Sequence, residues 1–224
     1  EIIVVNDAST DNTLDVLERN FADNPEIRII DLEKNVGKKR AIGQGMRVSK
    51  GEIFVFTDSD SIVEPHAISR MIEVFMHDPD VGAISGHGRA LNADRNLITK
   101  IQDTWYDGQF AIKKAFESVY GAVTCISGPL AGFRKEAIFN FIPAWENDKF
   151  LGSEWKFSTD RTLTGYVLGA KSEGPKFKER YKDSWFVKSF DYEPRDWKLV
   201  YLKTAKVWTK VPDTFSSLIK QQVR

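Results

Sequence analysis

The chain has 224 residues, and 32 basic side chains (Lys and Arg) balance 32 acidic ones (Asp and Glu). This balance leaves no basic field to attract nucleic acid, so no nucleic-acid partner is expected. A hydrophobic fraction of 42% is typical of one globular domain. The single cysteine, Cys125, excludes an internal disulfide and fits a reducing compartment.

Strands and helices alternate in the first part of the chain. Apolar runs at residues 2–5, 27–30, 53–56 and 81–85 predict short strands that are buried on both faces. Between them, one helix is predicted from about residue 37 to 49, and another opens at Pro65 and ends at Asp78. The second of these helices is expected to bury one apolar face: Ile68, Met71, Ile72, Phe75 and Met76. The order predicts an α/β fold with a mainly parallel central sheet and helices on both faces.

The second half of the chain is less regular. A long helix is predicted over residues 97–119. A final amphipathic helix carries Phe215, Leu218, Ile219 and Gln222. No element is predicted between about residues 172 and 211, so the fold of that region is left open.

Carboxylates follow two of the predicted strands. Asp7 comes after the strand at residues 2–5, and Asp58 and Asp60 come after the strand at residues 53–56. Ligands of open α/β sheets bind beyond the carboxyl ends of the strands, and residues i and i+2 of an extended segment point the same way. Asp58 and Asp60 are therefore expected to bind one hard cation, Mg²⁺ or Mn²⁺, together with phosphate and water. The alternative is a solvated turn, in which Asp and Ser are common.

Three cations, Lys38, Lys39 and Arg40, stand at the predicted start of the helix that follows Gly37. Cations are mildly unfavourable at this end of the helix dipole. Their presence therefore indicates an anion beside them, such as a diphosphate. A solvated basic face is the alternative.

Six segments resemble, in the same order, the processive, inverting family 2 glycosyltransferases of the GT-A fold, which include hyaluronan and chitin synthases. The segments are EIIVVNDASTDNT (1–13), NVGKKRA (35–41), TDSDS (57–61), CISGPLAGFRKEA (125–137), WENDKFLGSEWKFSTDRTLT (145–164) and QQVR (221–224). Each motif is weak alone, but together they extend over most of the chain.

The resemblance implies transfer of a sugar from a UDP-sugar donor to the hydroxyl of a growing polysaccharide, with inversion to a β-linkage. Nucleotide binding is implied for Asp7, Lys38, Asp58 and Arg224, metal binding for Asp58 and Asp60, and general-base catalysis for Asp160. Acceptor binding is implied for Ser127, Gly128, Pro129, Arg161, Gln221 and Gln222, with Arg161 chiefly supporting Asp160.

The resemblance also implies that residues 1–224 form a single catalytic domain cut from a longer membrane protein. No apolar run approaches the roughly 18 to 20 residues of a membrane span, and the first strand of the family is expected to lie before Glu1. Membrane segments outside this chain would then hold the domain at the cytoplasmic face of the plasma membrane.

Departures from the family pattern keep alternatives open. Ser158 and Thr159 stand before Asp160, where the family usually has an acidic residue, so a nucleotide-sugar-binding module without catalysis is one alternative. A non-processive family 2 transferase acting on a lipid or other acceptor is another, although QQVR is typical of processive members. Trp145 and Trp155 are interpreted either as a sugar-stacking platform or as core residues.

Overall fold

The computed structural model describes residues 1–154 and 159–222. Its strands are β1 (Ile2–Asn6), β2 (Ile27–Asp31), β3 (Ile53–Phe56), β4 (Ser61–Val63), β5 (Val81–Ala90), β6 (Ala131–Arg134), β7 (Lys149–Phe150), β8 (Ser153–Glu154) and β9 (Lys198–Thr209). Its helices are α1 (Thr13–Phe21), α2 (Lys38–Val48), α3 (Ala67–His77), α4 (Leu97–Gly108), α5 (Ala115–Val119), α6 (Lys135–Ile138), α7 (Ile142–Glu146), α8 (Thr159–Leu168), α9 (Ala170–Arg180), α10 (Trp185–Ser189) and α11 (Phe215–Gln222). A π-helical turn (Gln109–Lys114) connects α4 to α5, and a 3₁₀ turn (Phe139–Phe141) connects α6 to α7.

The central sheet of the described chain has five strands in the order β3-β6-β5-β9-β4. β5 and β9 are parallel, whereas β6 is antiparallel to β3 and β5, and β4 is antiparallel to β9. β1 and β2 form a separate parallel pair. The α/β class is confirmed, but the prediction of a mainly parallel sheet is wrong. β6 comes from the second half of the chain and inserts between β3 and β5, and a pattern of apolar runs does not reveal which strands become neighbours.

Apolar side chains cover both faces of the central sheet. Successive residues of a strand point to opposite faces, so Ala83 of β5 belongs to one core and Ile84 to the other. On one face, α3 supplies Met71 and Phe75. On the other, α6, α7, α8 and α10 supply a larger group: Ala137, Ile138, Ile142, Trp145, Leu163, Val167 and Phe186. The prediction of helices on both faces is confirmed.

Most elements of the first half agree with the prediction to within one or two residues, and α3 is among them, but its buried face is narrower than predicted. It begins at Ala67, two residues after Pro65. Its buried residues form one row at four-residue spacing: Ala67, Met71 and Phe75. Ile68 and Met76, predicted to be buried, are exposed, because a row this narrow leaves its flanks to solvent.

The structure confirms a continuous helical stretch over residues 97–119. The burial of its side chains is unusual for an amphipathic helix. Its buried residues are mostly polar: Thr99, Gln102, Asp103, Phe110 and Lys114. Several of its large apolar residues are exposed: Leu97, Ile101, Trp105, Ile112 and Phe116. Among the described residues, no helix combines the length and the apolar character needed to cross a membrane. The π-helical turn, a feature frequent at functional sites, carries the buried Lys114.

Candidate active site

Asp7 fixes the loop that precedes α2. Its carboxylate oxygens accept hydrogen bonds from the backbone N–H groups of Val36 (2.7 Å) and Gly37 (2.9 Å). Gly37 has a φ of 85°, a left-handed conformation that glycine adopts without strain. The end of β1 and the start of α2 therefore meet, and Lys38 follows directly. Contact between Asp7 and uracil stays a prediction.

Lys38 pairs with Asp58 between the start of α2 and the end of β3. Lys38 Nζ lies 2.6 Å from Asp58 Oδ1. Burial lowers the pKa of Lys38, but the hydrogen bond to Asp58 and the negative fields of Asp58, Asp160 and Asp60 outweigh it, so the pKa is raised overall. Three carboxylates thus act on one ammonium group. Asp7, Lys38, Asp58 and Asp60 are called the strand-end cluster below.

The strand-end cluster suits a divalent metal that arrives with a phosphate. The side chains of Lys38 and Asp58 are 49% and 31% exposed, and Asp60 is exposed. Ion pairs exposed to this degree are weak, so a phosphate oxygen can replace Asp58 beside Lys38. Within residues 1–154 and 159–222, no three His, Cys, Asp or Glu residues are grouped so that they could hold a metal. Mg²⁺ usually binds through one or two carboxylates plus substrate phosphates. Asp58 and Asp60 can supply the two carboxylates, and the donor would supply the phosphates.

Lys39 has a different role from Lys38. Its side chain is buried, and its Nζ lies 3.2 Å from Asp148 Oδ2. Asp148 also accepts a hydrogen bond from Tyr166 Oη on α8 (3.0 Å), and burial together with Asp148 raises the pKa of Tyr166. Consecutive residues of a helix point about 100° apart, so Lys38 and Lys39 do not face the same group. The expectation that Lys39 meets a diphosphate is wrong; it ties α2 to Asp148 and α8.

Asp160 lies at the start of α8 and touches the segment predicted to bind the acceptor. Its Oδ2 accepts a hydrogen bond from Gly128 N (2.8 Å), and its Oδ1 accepts one from Thr159 Oγ1 (3.0 Å). Thr57 Oγ1, at the end of β3, donates to the carbonyl of Pro129 (2.9 Å). The segment Ser127, Gly128 and Pro129 therefore bridges Asp160 and the residue before Asp58.

Lys114 was not predicted as a site residue, and it lies behind this segment. Its Nζ donates hydrogen bonds to Ser127 Oγ and to the carbonyl of Cys125. The helical, lysine-containing stretch around it is typical of a solvated surface, so no local sequence pattern distinguishes Lys114 from an exposed lysine. Lys114, Ser127, Gly128 and Asp160 are called the Asp160 cluster below.

The other residues predicted to bind the acceptor or the nucleotide make no described contact with Asp160. Arg161 is exposed, and no hydrogen bond or ion pair joins it to Asp160 in the described part of the chain. Gln221, near the end of α11, is also exposed, and Gln222 ends that helix. Arg224 lies outside the described residues, so its placement is not tested.

Trp145 is a core residue and not an exposed sugar platform. It is 2% exposed, and its Nε1 donates to the carbonyl of Thr159 (2.9 Å). This bond anchors the first residue of α8 beside Asp160. Trp155 lies outside the described residues.

Comparisons with known sequences identify the family of this chain. Residues 1–139 match the model of glycosyl transferase family 2. The chain is 31% identical to the poly-β-1,6-N-acetyl-D-glucosamine synthase of Staphylococcus aureus and 30% identical to that of Staphylococcus epidermidis, and each alignment covers 100% of this chain and 46% of the relative. The chain thus spans about half the length of these curated relatives.

Solved structures show the same fold. The mannosyltransferase PcManGT from Pyrobaculum calidifontis, in complex with GDP-Man and Mn²⁺, has a TM-score of 0.64 at 20% identity over 96% of this chain and 49% of its own. Residues 1–349 of Staphylococcus aureus TarS, in complex with UDP-GlcNAc, have a TM-score of 0.55 at 15% identity over 96% of this chain and 50% of their own. These likenesses confirm the GT-A fold. Since the family model matches more than half of the residues, the chain belongs to glycosyl transferase family 2.

Proposed function

We propose that residues 1–224 are the catalytic domain of a processive, inverting glycosyltransferase that extends a polysaccharide from a UDP-sugar through β-linkages. One observation carries the proposal. The Asp160 carboxylate is bound to Gly128 of the acceptor segment while its field reaches Lys38 of the strand-end cluster. A carboxylate base, a cation and a pair of metal-binding acids are thereby close to one another. Relatives that align with the whole chain are named as synthases of a β-linked N-acetylglucosamine polymer, which makes UDP-GlcNAc the first donor to test.

The donor diphosphate is assigned to the strand-end cluster. A phosphate beside Lys38 would take over the exposed contact that Lys38 now makes with Asp58. Asp7 already holds the loop before Lys38 in place, so little chain ordering is needed when the donor binds. Arg224 is proposed as a further cation for the same diphosphate.

Asp58 and Asp60 are assigned to Mg²⁺ or Mn²⁺, held jointly with the donor phosphates. The ion, when bound, neutralises charge that gathers on the departing diphosphate. Lys38, a cation at neutral pH, contributes to the same stabilisation from the protein side.

Asp160 is assigned as the general base. The acceptor hydroxyl oxygen attacks the anomeric carbon while the bond from that carbon to the diphosphate oxygen breaks. The hydroxyl proton passes to the Asp160 carboxylate, and UDP leaves with the bonding electron pair. Attack opposite the diphosphate inverts the anomeric centre, so an α-linked donor yields a β-linkage. Gly128 N–H and Thr159 Oγ1 hold the two carboxylate oxygens, which orients the base before the acceptor arrives.

The acceptor is assigned to Ser127, Gly128 and Pro129, with Gln221 and Gln222 as further contacts. Gly128 is suited to this position because a Cβ there would lie 2.8 Å from Asp160 Oδ2. Any other residue would push the backbone and the base apart.

The test uses the full-length protein in membranes, supplied with UDP-GlcNAc, other UDP-sugars and GDP-mannose, each with Mn²⁺, Mg²⁺ or EDTA. We expect metal-dependent release of UDP and a β-linked polymer from one UDP-sugar, and transfer that is roughly 10²- to 10⁴-fold slower in the Asp160→Asn variant. Donor binding without turnover in the wild-type protein would instead favour a nucleotide-sugar-binding module. Turnover of GDP-mannose alone would replace the UDP assignment.

Processivity and location are tested separately. A processive enzyme should give long chains while most acceptors are still unextended, whereas single additions to a lipid or other acceptor would favour the non-processive alternative. We also propose that segments outside this chain place the domain at the cytoplasmic face of the plasma membrane. Fractionation and protease protection of the domain in intact cells would test that location.

A further inference from the structure

Lys114 is a buried lysine that the proposed mechanism does not use. It is 7% exposed and ends the π-helical turn, on a helical stretch in which several large apolar side chains are exposed to solvent. Burial of an ammonium group is costly unless its donors are paired. The position of Lys114 therefore calls for a compensating set of contacts.

The three N–H protons of the Lys114 ammonium meet three acceptors. They are Ser85 Oγ (2.9 Å), the Cys125 carbonyl (2.7 Å) and Ser127 Oγ (2.5 Å). The Phe110 ring lies on a further side, with its centroid 4.4 Å from Nζ. Two of the three acceptors belong to the loop that leads into Gly128.

This loop also connects Lys114 to the central sheet. Ser85 is fully buried on β5, and its Oγ accepts from both Lys114 Nζ and the backbone N–H of Ser127 (3.5 Å). One residue beyond Ser127, the Gly128 N–H binds Asp160 Oδ2. The chain of contacts thus runs from the sheet through Lys114 and the loop to the proposed base.

We propose that Lys114 is a positioning residue for sugar transfer: it holds residues 125–128 so that the Gly128 N–H and the acceptor segment stay aligned with the Asp160 carboxylate. The inference rests on the proposed function, because it gives Lys114 a part in the step that Asp160 performs. It also assigns a role to the π-helical turn, which brings the lysine under the loop.

The charges around Lys114 make this role dependent on pH. Burial lowers the pKa of Lys114 to about 8, while the nearby Cys125, Asp160 and Glu117 raise it and Lys113 lowers it. The ammonium therefore loses its charge just above neutral pH. On the neutral amine, one of the three donors is lost, and the positive field on Asp160 disappears.

The first test compares Lys114→Met and Lys114→Arg in the full-length enzyme with UDP-GlcNAc and Mn²⁺. Misplacement of a catalytic group by about 1 Å can cost roughly 100-fold, so we expect Lys114→Met to lower kcat by about 10- to 100-fold. The KM for the donor and the Kd for UDP should stay near the wild-type values, because the strand-end cluster is intact. Lys114→Arg should recover a large part of kcat. A rise in KM with an unchanged kcat would overturn the proposal.

The second test is the pH profile of kcat. In the wild type, kcat should fall as pH rises through about 8, where Lys114 deprotonates. Lys114→Arg should move this decline to higher pH, because a guanidinium stays charged. Cys125→Ala is the control for the neighbouring thiol, and it should leave the decline in place. A profile that follows Cys125 and ignores Lys114 would contradict the inference.

The third test does not need turnover, so it separates this inference from the proposed function. Hydrogen exchange of the full-length protein should show faster exchange at the backbone amides of residues 126–128 and 130 in Lys114→Met than in the wild type. Ser85→Ala removes one acceptor of Lys114 and the acceptor of the Ser127 N–H but leaves the loop contacts of Lys114, so it should speed exchange at Ser127 and change the other amides of the segment less. Absence of turnover in the wild type would refute the proposed function alone, whereas unchanged exchange in Lys114→Met would refute the positioning role.

Discussion

The strand-end cluster and the Asp160 cluster differ in burial and in how they are held. The ion pair of Lys38 and Asp58 is partly exposed and joins the start of α2 to the segment that follows β3. Lys114 is buried, and the contacts of Gly128 with Asp160 join residues 32 positions apart. Weak, exposed ion pairs can exchange for phosphate and metal, whereas a buried hydrogen-bonded network keeps its geometry. The difference suggests that the strand-end cluster rearranges when the donor binds, whereas the Asp160 cluster is preorganised for the acceptor.

Asp160→Asn should have the largest effect, because it removes the proposed base and keeps the shape of the side chain. We expect sugar transfer to fall by roughly 10²- to 10⁴-fold, with the Kd for UDP and the Tm close to wild type. Polymer formation by the full-length enzyme, beside calorimetric UDP binding, measures both. Asp23→Asn, at an exposed position on another part of the chain, is the matched control. Transfer near the wild-type rate would remove Asp160 from catalysis.

Asp60→Asn should separate metal binding from the rest of the strand-end cluster. An amide replaces a full negative charge, so the Mn²⁺-dependent part of UDP affinity should fall by at least roughly 10- to 100-fold, a range found even for residues that only support metal ligands. Titration of UDP with Mn²⁺ and with EDTA is the measurement. An equal loss in both conditions would mean that Asp60 acts on the fold and not on a metal.

Lys38→Ala should weaken UDP binding more than uridine binding. A hydrogen bond to a charged group contributes about 1.5 to 3 kcal/mol, so we expect the Kd for UDP to rise about tenfold or more while the Kd for uridine changes little. Lys34→Ala, at an exposed lysine before the same helix, provides the comparison. Equal losses for UDP and uridine would indicate damage to the loop that Asp7 holds.

Trp145→Phe should have the smallest effect on chemistry and should act through the Asp160 cluster. The variant leaves the Thr159 carbonyl without its indole donor, which should cost about 1 to 3 kcal/mol of unfolding free energy. The Tm of the enzyme should fall, and transfer should fall by a few-fold with the Kd for UDP unchanged. Trp197→Phe, in the same core, controls for lost aromatic packing. A larger loss of UDP binding than of transfer would contradict the separation of the two clusters.

All four residues of the strand-end cluster were named from the sequence, whereas Lys114 of the Asp160 cluster was not. Asp7, Asp58 and Lys38 each follow a strand or begin a helix, so the position of each depends on residues a few places away. Lys39 was wrongly grouped with Lys38 because its partner, Asp148, is 109 residues distant. Lys114 was missed because its three acceptors lie outside its own helical stretch, two on a loop and one on β5.

The order of apolar runs and the spacing of polar motifs determined the α/β class, the helices on both faces, the acids at the ends of β1 and β3, and the resemblance to family 2. These features follow from backbone preferences and side-chain periodicity within about ten residues. Tertiary structure alone decided that β6 enters the sheet between β3 and β5, that Trp145 is core, and that a buried lysine supports the loop beside Asp160. Those outcomes depend on which distant segments exclude water from one another, and burial of this kind has no local signature in the chain.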